Sequence, residues 1–224
     1  DWRETYGPGW AKLKKLRNPK SQNRTFGFDV LMANPPFAGD IKQSDLLSPY
    51  ELGHKANGKL EGKVGRDLLF IERNLDFLRP GGRMAVVLPQ GRFNNASDQR
   101  VRQFISERCR ILAVVGLHPN TFKPHTGTKT SVLFVQKWND DASDPRYHCP
   151  KVDDYPIFFA TQQLPSKNNS GDKLIATDKD GKLLRDEHGH WVIQHDLFNH
   201  EGLTKDGIAE AFAEFAAKER LPFF

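Results

Sequence analysis

The chain has 224 residues, 38% of them apolar, and a formal charge of +5. That length buries a core in one compact domain, with or without a small appendage. Apolar stretches such as Ile111 to Val115 are too short to span a bilayer, and no secretory leader pattern is present. The two cysteines, Cys109 and Cys149, cannot build a disulfide framework, so a reducing cytoplasm is the expected setting.

Residues 1–24 are basic, turn-rich and without apolar periodicity. Phe28 to Ala33 is a nearly continuous apolar run that stops at Asn34-Pro35-Pro36, the pattern of a strand buried on both faces. Residues 38–65 are rich in glycine and lysine and read as a long loop, a kind that is functional or disordered in a compact domain. Arg66 to Leu78 predicts a helix with Leu68, Leu69, Ile71, Leu75 and Leu78 on one side, ended by Pro80-Gly81-Gly82. Met84 to Leu88 predicts a strand, Ser97 to Arg108 a helix, and Ile111 to Leu117 and Ser131 to Trp138 two more strands. Residues 118–130 leave no room for a crossover helix, so those two strands should be antiparallel. The order predicts an α/β fold whose sheet ends in an antiparallel hairpin. Beyond Trp138 a short strand is expected at Ile157 to Phe159. Hairpin turns at Asp180-Gly181 and His188-Gly189 indicate a small β-meander, and residues 206–219 an amphipathic helix.

Charge is uneven. Residues 1–24 hold seven basic and two acidic groups, residues 25–138 hold 16 and 10, and residues 139–224 hold 10 and 16. A basic front and an acidic tail predict that residues 1–138 meet a polyanion and the tail does not.

Asn34-Pro35-Pro36-Phe37 stands at the carboxyl end of a strand, the edge where open α/β sheets bind ligands. Proline offers carbonyls without competing N–H donors, and the Asn34 amide oxygen adds a further acceptor. The Asn34 oxygen and the Pro35 carbonyl can together accept both hydrogens of one exocyclic amino group and aim its lone pair at an electrophile, while Phe37 offers a face for a heteroaromatic ring. The plainer reading is a rigid turn with Phe37 anchored in the core. An Asn34 amide packed in hydrocarbon would favour the turn.

The blocks FDVLMANPPF, QSDLLSPYELGHK, GGRMAVVLPQGRFNN and RCRILAVVGLHPNTFKPHTGTKTSVLFVQK together resemble the N6-adenine DNA methyltransferases, in particular the modification subunits of type I restriction-modification systems. The resemblance covers roughly residues 26–160. It implies an S-adenosylmethionine-dependent transfer to N6 of a flipped adenine, with Asn34, Pro35, Pro36 and Phe37 as the catalytic motif and Asn34 shared with the cofactor. It also matches Pro89, Gly91 and Phe93 after the next strand, and Thr128 and Thr130 at the entry to the last. Implied partners are double-stranded DNA, a specificity subunit and further modification or restriction subunits. The Gly-rich turn that grips the cofactor in such enzymes has no counterpart in this sequence. A fragment is therefore expected, inactive by itself, with residues 1–24 a basic segment, 25–138 the C-terminal half of the methyltransferase domain and 139–224 an acidic appendage. The strand at Phe28 would then have an open edge, predicting self-association or coverage by residues 1–24.

For DNA phosphates the candidates are Lys42, Lys55, Lys59 and Lys63 in the long segment, and Lys123, His125 and Lys129 in the 118–130 loop. No metal is expected: Asp178, Asp180 and Glu187 lack the first ligand of a calcium loop, and His188, His190, His195 and Cys149 lack zinc spacing. Two rival functions are a protein glutamine methyltransferase, which uses Asn-Pro-Pro-Tyr on a similar sheet, and a non-catalytic DNA-binding or assembly module.

Overall fold

The computed structural model describes residues 27–221 and the isolated positions Glu4, Gly7, Pro8 and Ala11. The rest of the basic segment 1–24, one of the two expected covers for the sheet edge beside self-association, lies outside the described residues. In chain order come β1 (Phe28–Ala33), β2 (Asp40–Ile41), α1 (Ser44–Leu47), β3 (Val64–Gly65), α2 (Arg66–Phe77), β4 (Leu78–Pro89), α3 (Gly91–Asn94), α4 (Gln99–Arg108), β5 (Cys109–Gly116), β6 (Thr130–Lys137), β7 (Phe158–Thr161) and α5 (Ile208–Lys218).

The fold is α/β with a five-stranded mixed sheet in the order β1-β4-β6-β5-β7. β1 is parallel to β4, and β7 to β5, while β6 runs antiparallel between β4 and β5. The predicted antiparallel pair is therefore present, and β6 is also the bridge between the two parallel pairs. Its consequence is geometric: β1, β4, β5 and β7 all end at the edge of the sheet where β6 begins.

One face of the sheet carries the main core. Ile71 and Leu75 of α2, and Val101, Phe104 and Ile105 of α4, pack on Met84, Val86 and Leu88 of β4 and on Leu133 and Val135 of β6. These residues recur at helical spacing in α2 and α4 and at every second position in the strands, which is why each element presents one apolar side. The Lys137 ammonium donates to the Leu75 and Leu78 carbonyls at 2.8 and 2.9 Å, satisfying the last turn of α2. Gly81, at φ +73°, lets β4 start beneath residue 147; a Cβ there would lie 2.0 Å from the Tyr147 carbonyl oxygen. On the other face, α5 lays Phe212 and Phe215 against Phe134 and the Phe158 ring.

Two expectations change. β1 was expected to be buried on both sides, yet Val30 is 61% and Met32 82% exposed. Among the described residues β1 pairs with β4 alone, and α5 reaches only the opposite end of that sheet face. Residues 38–65 were read as a loop, but they fold. Leu47, Val64 and Leu69 form a small core of their own. The Glu72 carboxylate accepts from the Glu51 and Leu52 amides at 2.7 and 2.8 Å. Arg100 donates to the carbonyls of Glu51 and His54. These elements span two to four residues, too few to show a period.

Residues 165–194 form the expected meander, held by isolated bridges such as Thr177 with Leu183 and Arg185 with Trp191. The Asp178 carboxylate accepts from the amides of Asp180 and Lys182, so this is a hairpin turn. Among the described residues no helix is long and apolar enough to cross a membrane, and no group of three or more acidic, histidine or cysteine side chains is placed to hold a metal ion.

Two outcomes follow from this packing. Ile71 is fully buried, so Ile71→Ala should cost about 2–5 kcal/mol in urea unfolding with an unchanged slope, and a loss under about 1 kcal/mol would contradict the core described. Burial pushes the Cys109 thiol up to about 12 and the Cys149 thiol up to about 11. Both stay protonated at pH 8, so iodoacetamide should label neither until the chain unfolds, as followed by mass spectrometry.

Candidate active site

The sheet edge gathers the blocks that the sequence keeps apart. Register pairs Ala33 with Val86 across β1 and β4, and Pro89 with Thr130 across β4 and β6. The tetrapeptide after β1, the Pro89 to Phe93 turn after β4 and the 118–130 loop before β6 therefore lie side by side. Backbone bonds close the seam: the Gln90 amide donates to the Lys129 carbonyl at 2.9 Å, and the Leu117 amide to the Thr130 carbonyl at 2.9 Å.

Within the tetrapeptide, Pro35 is buried and fixes the turn, while Asn34 and Pro36 are exposed and Phe37 is half-buried. The Asn34 amide is thus in solvent, not packed in hydrocarbon, and among the described residues it has no side-chain hydrogen-bond partner. The Phe37 ring meets Phe122 edge to face, with centroids 5.0 Å apart and planes at 80°. Phe122 was not singled out from the sequence. Its signal was a lone ring in a polar loop bound for this edge, and attention to the loop's cations passed over it.

A buried ion-pair network holds the neighbouring turn. Arg92 grips the Asp67 carboxylate with two bonds of 2.7 and 2.9 Å and reaches Asp98 at 2.8 Å. Burial opposes the Arg92 charge, but hydrogen bonds and ion pairs with Asp67 and Asp98 outweigh it and raise its pKa. A Cβ on Gly65 would lie 2.7 Å from the Asp67 carboxylate, so the glycine makes room for the clamp. The network ties the start of α2 to the turn that bears Gly91 and Phe93, and Phe93 leans on the main core. Sequence reading missed all three charged residues, because nothing local marks partners 25 residues apart.

The candidate phosphate ligands fall in three places. Lys42 and Lys63 flank the β2–β3 ribbon that follows Phe37, and Lys63 pairs with Asp40 at 3.3 Å. Lys55 and Lys59 close a turn whose base is tied to α2 by Glu72 and to α4 by Arg100 and Arg108, so they stand over the helices. Lys123, His125 and Lys129 are in the edge loop with Phe122. Lys129 also lines a cavity of about 400 Å³ with Gln90, Phe93, Asn94 and Phe159. Thr126 and Thr128 bond each other through their hydroxyls at 2.8 Å. Thr130 is buried, and its hydroxyl has no hydrogen-bond partner among the described residues. Among the described residues no Gly-rich turn stands beside Asn34.

The chain is 32% identical over 137 residues to the methylase subunit of the Escherichia coli type I restriction enzyme EcoEI, which is 61% of this chain and 26% of that protein. It is 28% identical over 118 residues to the E. coli type II restriction enzyme and methyltransferase RM.Eco57I, covering 52% of this chain and 12% of that protein. The chain thus spans about a quarter or less of the length of these curated relatives. Among solved structures, a putative class I S-adenosylmethionine-dependent methyltransferase from Listeria monocytogenes superposes with a TM-score of 0.48 at 22% identity, over 63% of this chain and 38% of that one. A modification subunit of a putative type I restriction enzyme from Vibrio vulnificus superposes with a TM-score of 0.43 at 17% identity, over 75% and 37%. The N-6 DNA Methylase family model matches residues 11–200, most of the chain, and the protein belongs to that family.

Proposed function

We propose that this chain supplies the base-binding half of an adenine-specific DNA methyltransferase, the modification subunit of a restriction-modification system. The observation that carries the reading is an exposed Asn34 amide at the end of β1 beside an aromatic pair, Phe37 and Phe122, on the edge where three separate sequence blocks converge.

A flipped adenine is a flat ring with an exocyclic amine at its rim. Phe37 stacks on the ring, and Phe122 closes on it from its present edge-on position. The Asn34 oxygen and the Pro35 carbonyl accept the two N6 hydrogens and turn the lone pair out of conjugation. S-adenosylmethionine, when bound, would supply the electrophilic methyl from its sulfonium, whose S–CH₃ bond breaks with the electron pair left on a neutral thioether as the leaving group. As the new N–C bond forms, positive charge develops on N6, and the same two acceptors stabilise it until a proton leaves to solvent. No covalent nucleophile is needed, which fits the buried, protonated thiols.

In this reading the chain acts with double-stranded DNA, a specificity subunit and further modification or restriction subunits in the cytoplasm, and it is inactive alone. The one-sided β1 is the edge that takes another strand, whether from the rest of the enzyme or from a second copy. Lys42, Lys55, Lys59, Lys63, Lys123, His125 and Lys129 are the proposed phosphate contacts.

In the complete enzyme, Asn34→Ala should lower methyl transfer into unmethylated DNA by at least about a hundredfold with an unchanged circular-dichroism spectrum. Retained activity would refute the mechanism. Lys129→Ala should weaken duplex binding and reduce the slope of log K against log salt by about one. A slope equal to that of the wild type would remove Lys129 from the phosphate contacts.

A further inference from the structure

The loop that carries Phe122 is not supported by the sheet alone. Residues 118–126 are fastened on both sides of that ring to the first hairpin of the C-terminal meander. Two positions before Phe122, the Asn120 side-chain NH₂ donates to the Lys167 carbonyl and to the Asn169 side-chain oxygen, both at 3.1 Å. One position after it, the Lys123 carbonyl accepts from the Lys167 ammonium at 2.9 Å. Two positions after it, Pro124 lies against Gly171, where a Cβ would come within 2.6 Å of the proline ring. Gly171 also has φ +96°, a conformation that glycine alone adopts cheaply. At the root of the loop, the buried Gln162 side chain accepts from the His118 amide at 3.0 Å and donates to the Leu164 carbonyl at 2.9 Å.

The hairpin is itself rigid. The Asn168 side-chain oxygen accepts from the Ser170 and Asp172 amides at 2.9 Å each, and its NH₂ donates to the Asp172 carboxylate at 2.9 Å. A stiff turn thus holds the Asn120 side chain before Phe122 and the Lys123 carbonyl after it, with the Phe122 side chain projecting between them. The projecting side chain is the ring that meets Phe37.

We infer that Asn120, Lys167 and Gly171 are positioning residues for the target base: the hairpin of residues 166–174 sets the height of the Phe122 ring over Phe37, and the acidic tail region thereby takes part in methyl transfer without touching the substrate. The inference rests on the proposed role of Phe37 and Asn34. It gives the first meander hairpin a task that charge alone had assigned away from the DNA.

The test uses the complete enzyme, tritiated S-adenosylmethionine and unmethylated phage DNA. Lys167→Met and Gly171→Ala should each lower kcat about tenfold to a hundredfold, the scale of a misplacement near 1 Å. KM for DNA should stay within about threefold. The melting temperature should not change in Lys167→Met, whereas Gly171→Ala should lower it modestly because of the positive φ and the contact with Pro124. Lys167→Arg, which keeps a donor to the Lys123 carbonyl, should restore kcat to within about threefold of the wild type. An unchanged kcat in both variants overturns the inference. It is also overturned if kcat, KM and melting temperature fall together and Lys167→Arg behaves like Lys167→Met, because the hairpin would then serve folding alone. Asn34→Ala runs in parallel: if it is inactive while the hairpin variants are normal, the proposed function stands and only the hairpin's role falls, whereas an active Asn34→Ala removes both.

Discussion

The direction of one strand organises this molecule. β6 runs antiparallel between β4 and β5, pairing with β4 from Thr130 to Gln136 and with β5 from Ser131 to Lys137, the second pairing carrying a bulge between Ile111 and Ala113. Because of that reversal, a single backbone position, Thr130, lies beside the exits of both β4 and β5. The loop entering β6 is therefore delivered to the same edge as the tetrapeptide leaving β1. A parallel β6 would have required a crossover helix in place of residues 118–130, and Phe122 would not face Phe37. The chemistry proposed for Asn34 depends on that edge being assembled from three loops at once.

What holds the edge in shape differs on its two sides. Towards α2, the Arg92 bridge to Asp67 and Asp98 replaces solvent around three charges with fixed, mutually satisfied partners. Towards the meander the ties are single hydrogen bonds made by side chains, two from the Asn120 NH₂ group and one from the Lys167 ammonium to a carbonyl. A buried ionic clamp is costly to break, whereas single hydrogen bonds to a loop are individually modest. The turn after β4 is thus the fixed wall, and the Phe122 loop is the wall whose position the adjoining hairpin sets.

The division between basic and acidic segments takes on a different meaning in three dimensions. Net charge placed the 139–224 region away from DNA, but the fold carries residues 162–172 to the reactive edge through β7, which joins the sheet beside β5. Long-range fields follow from summed charge. Contacts at a loop follow from topology, and a weakly acidic segment can still brace a site that binds a polyanion.

The sequence by itself determined most of the elements and the place of the Asn34 to Phe37 tetrapeptide at a strand end. Apolar period and proline or glycine stops are local properties, and they marked α2, α4, β5 and β6 to within a few residues but only the second half of β4, which begins at Leu78 and runs through Pro80-Gly81-Gly82; the Asn34 to Phe37 motif stood out because it is contained in four consecutive residues. The tertiary structure alone decided the rest. It gave β6 its second partner, exposed Val30 and Met32, folded residues 38–65 from elements too short to show a period, and brought Phe122 to Phe37, Arg92 to Asp67 and Lys167 to the Lys123 carbonyl. Each of those pairings joins residues 25 or more positions apart. Such contacts are set by strand order and direction, which no local pattern encodes, and so the tetrapeptide could be read in advance while the walls around it could not.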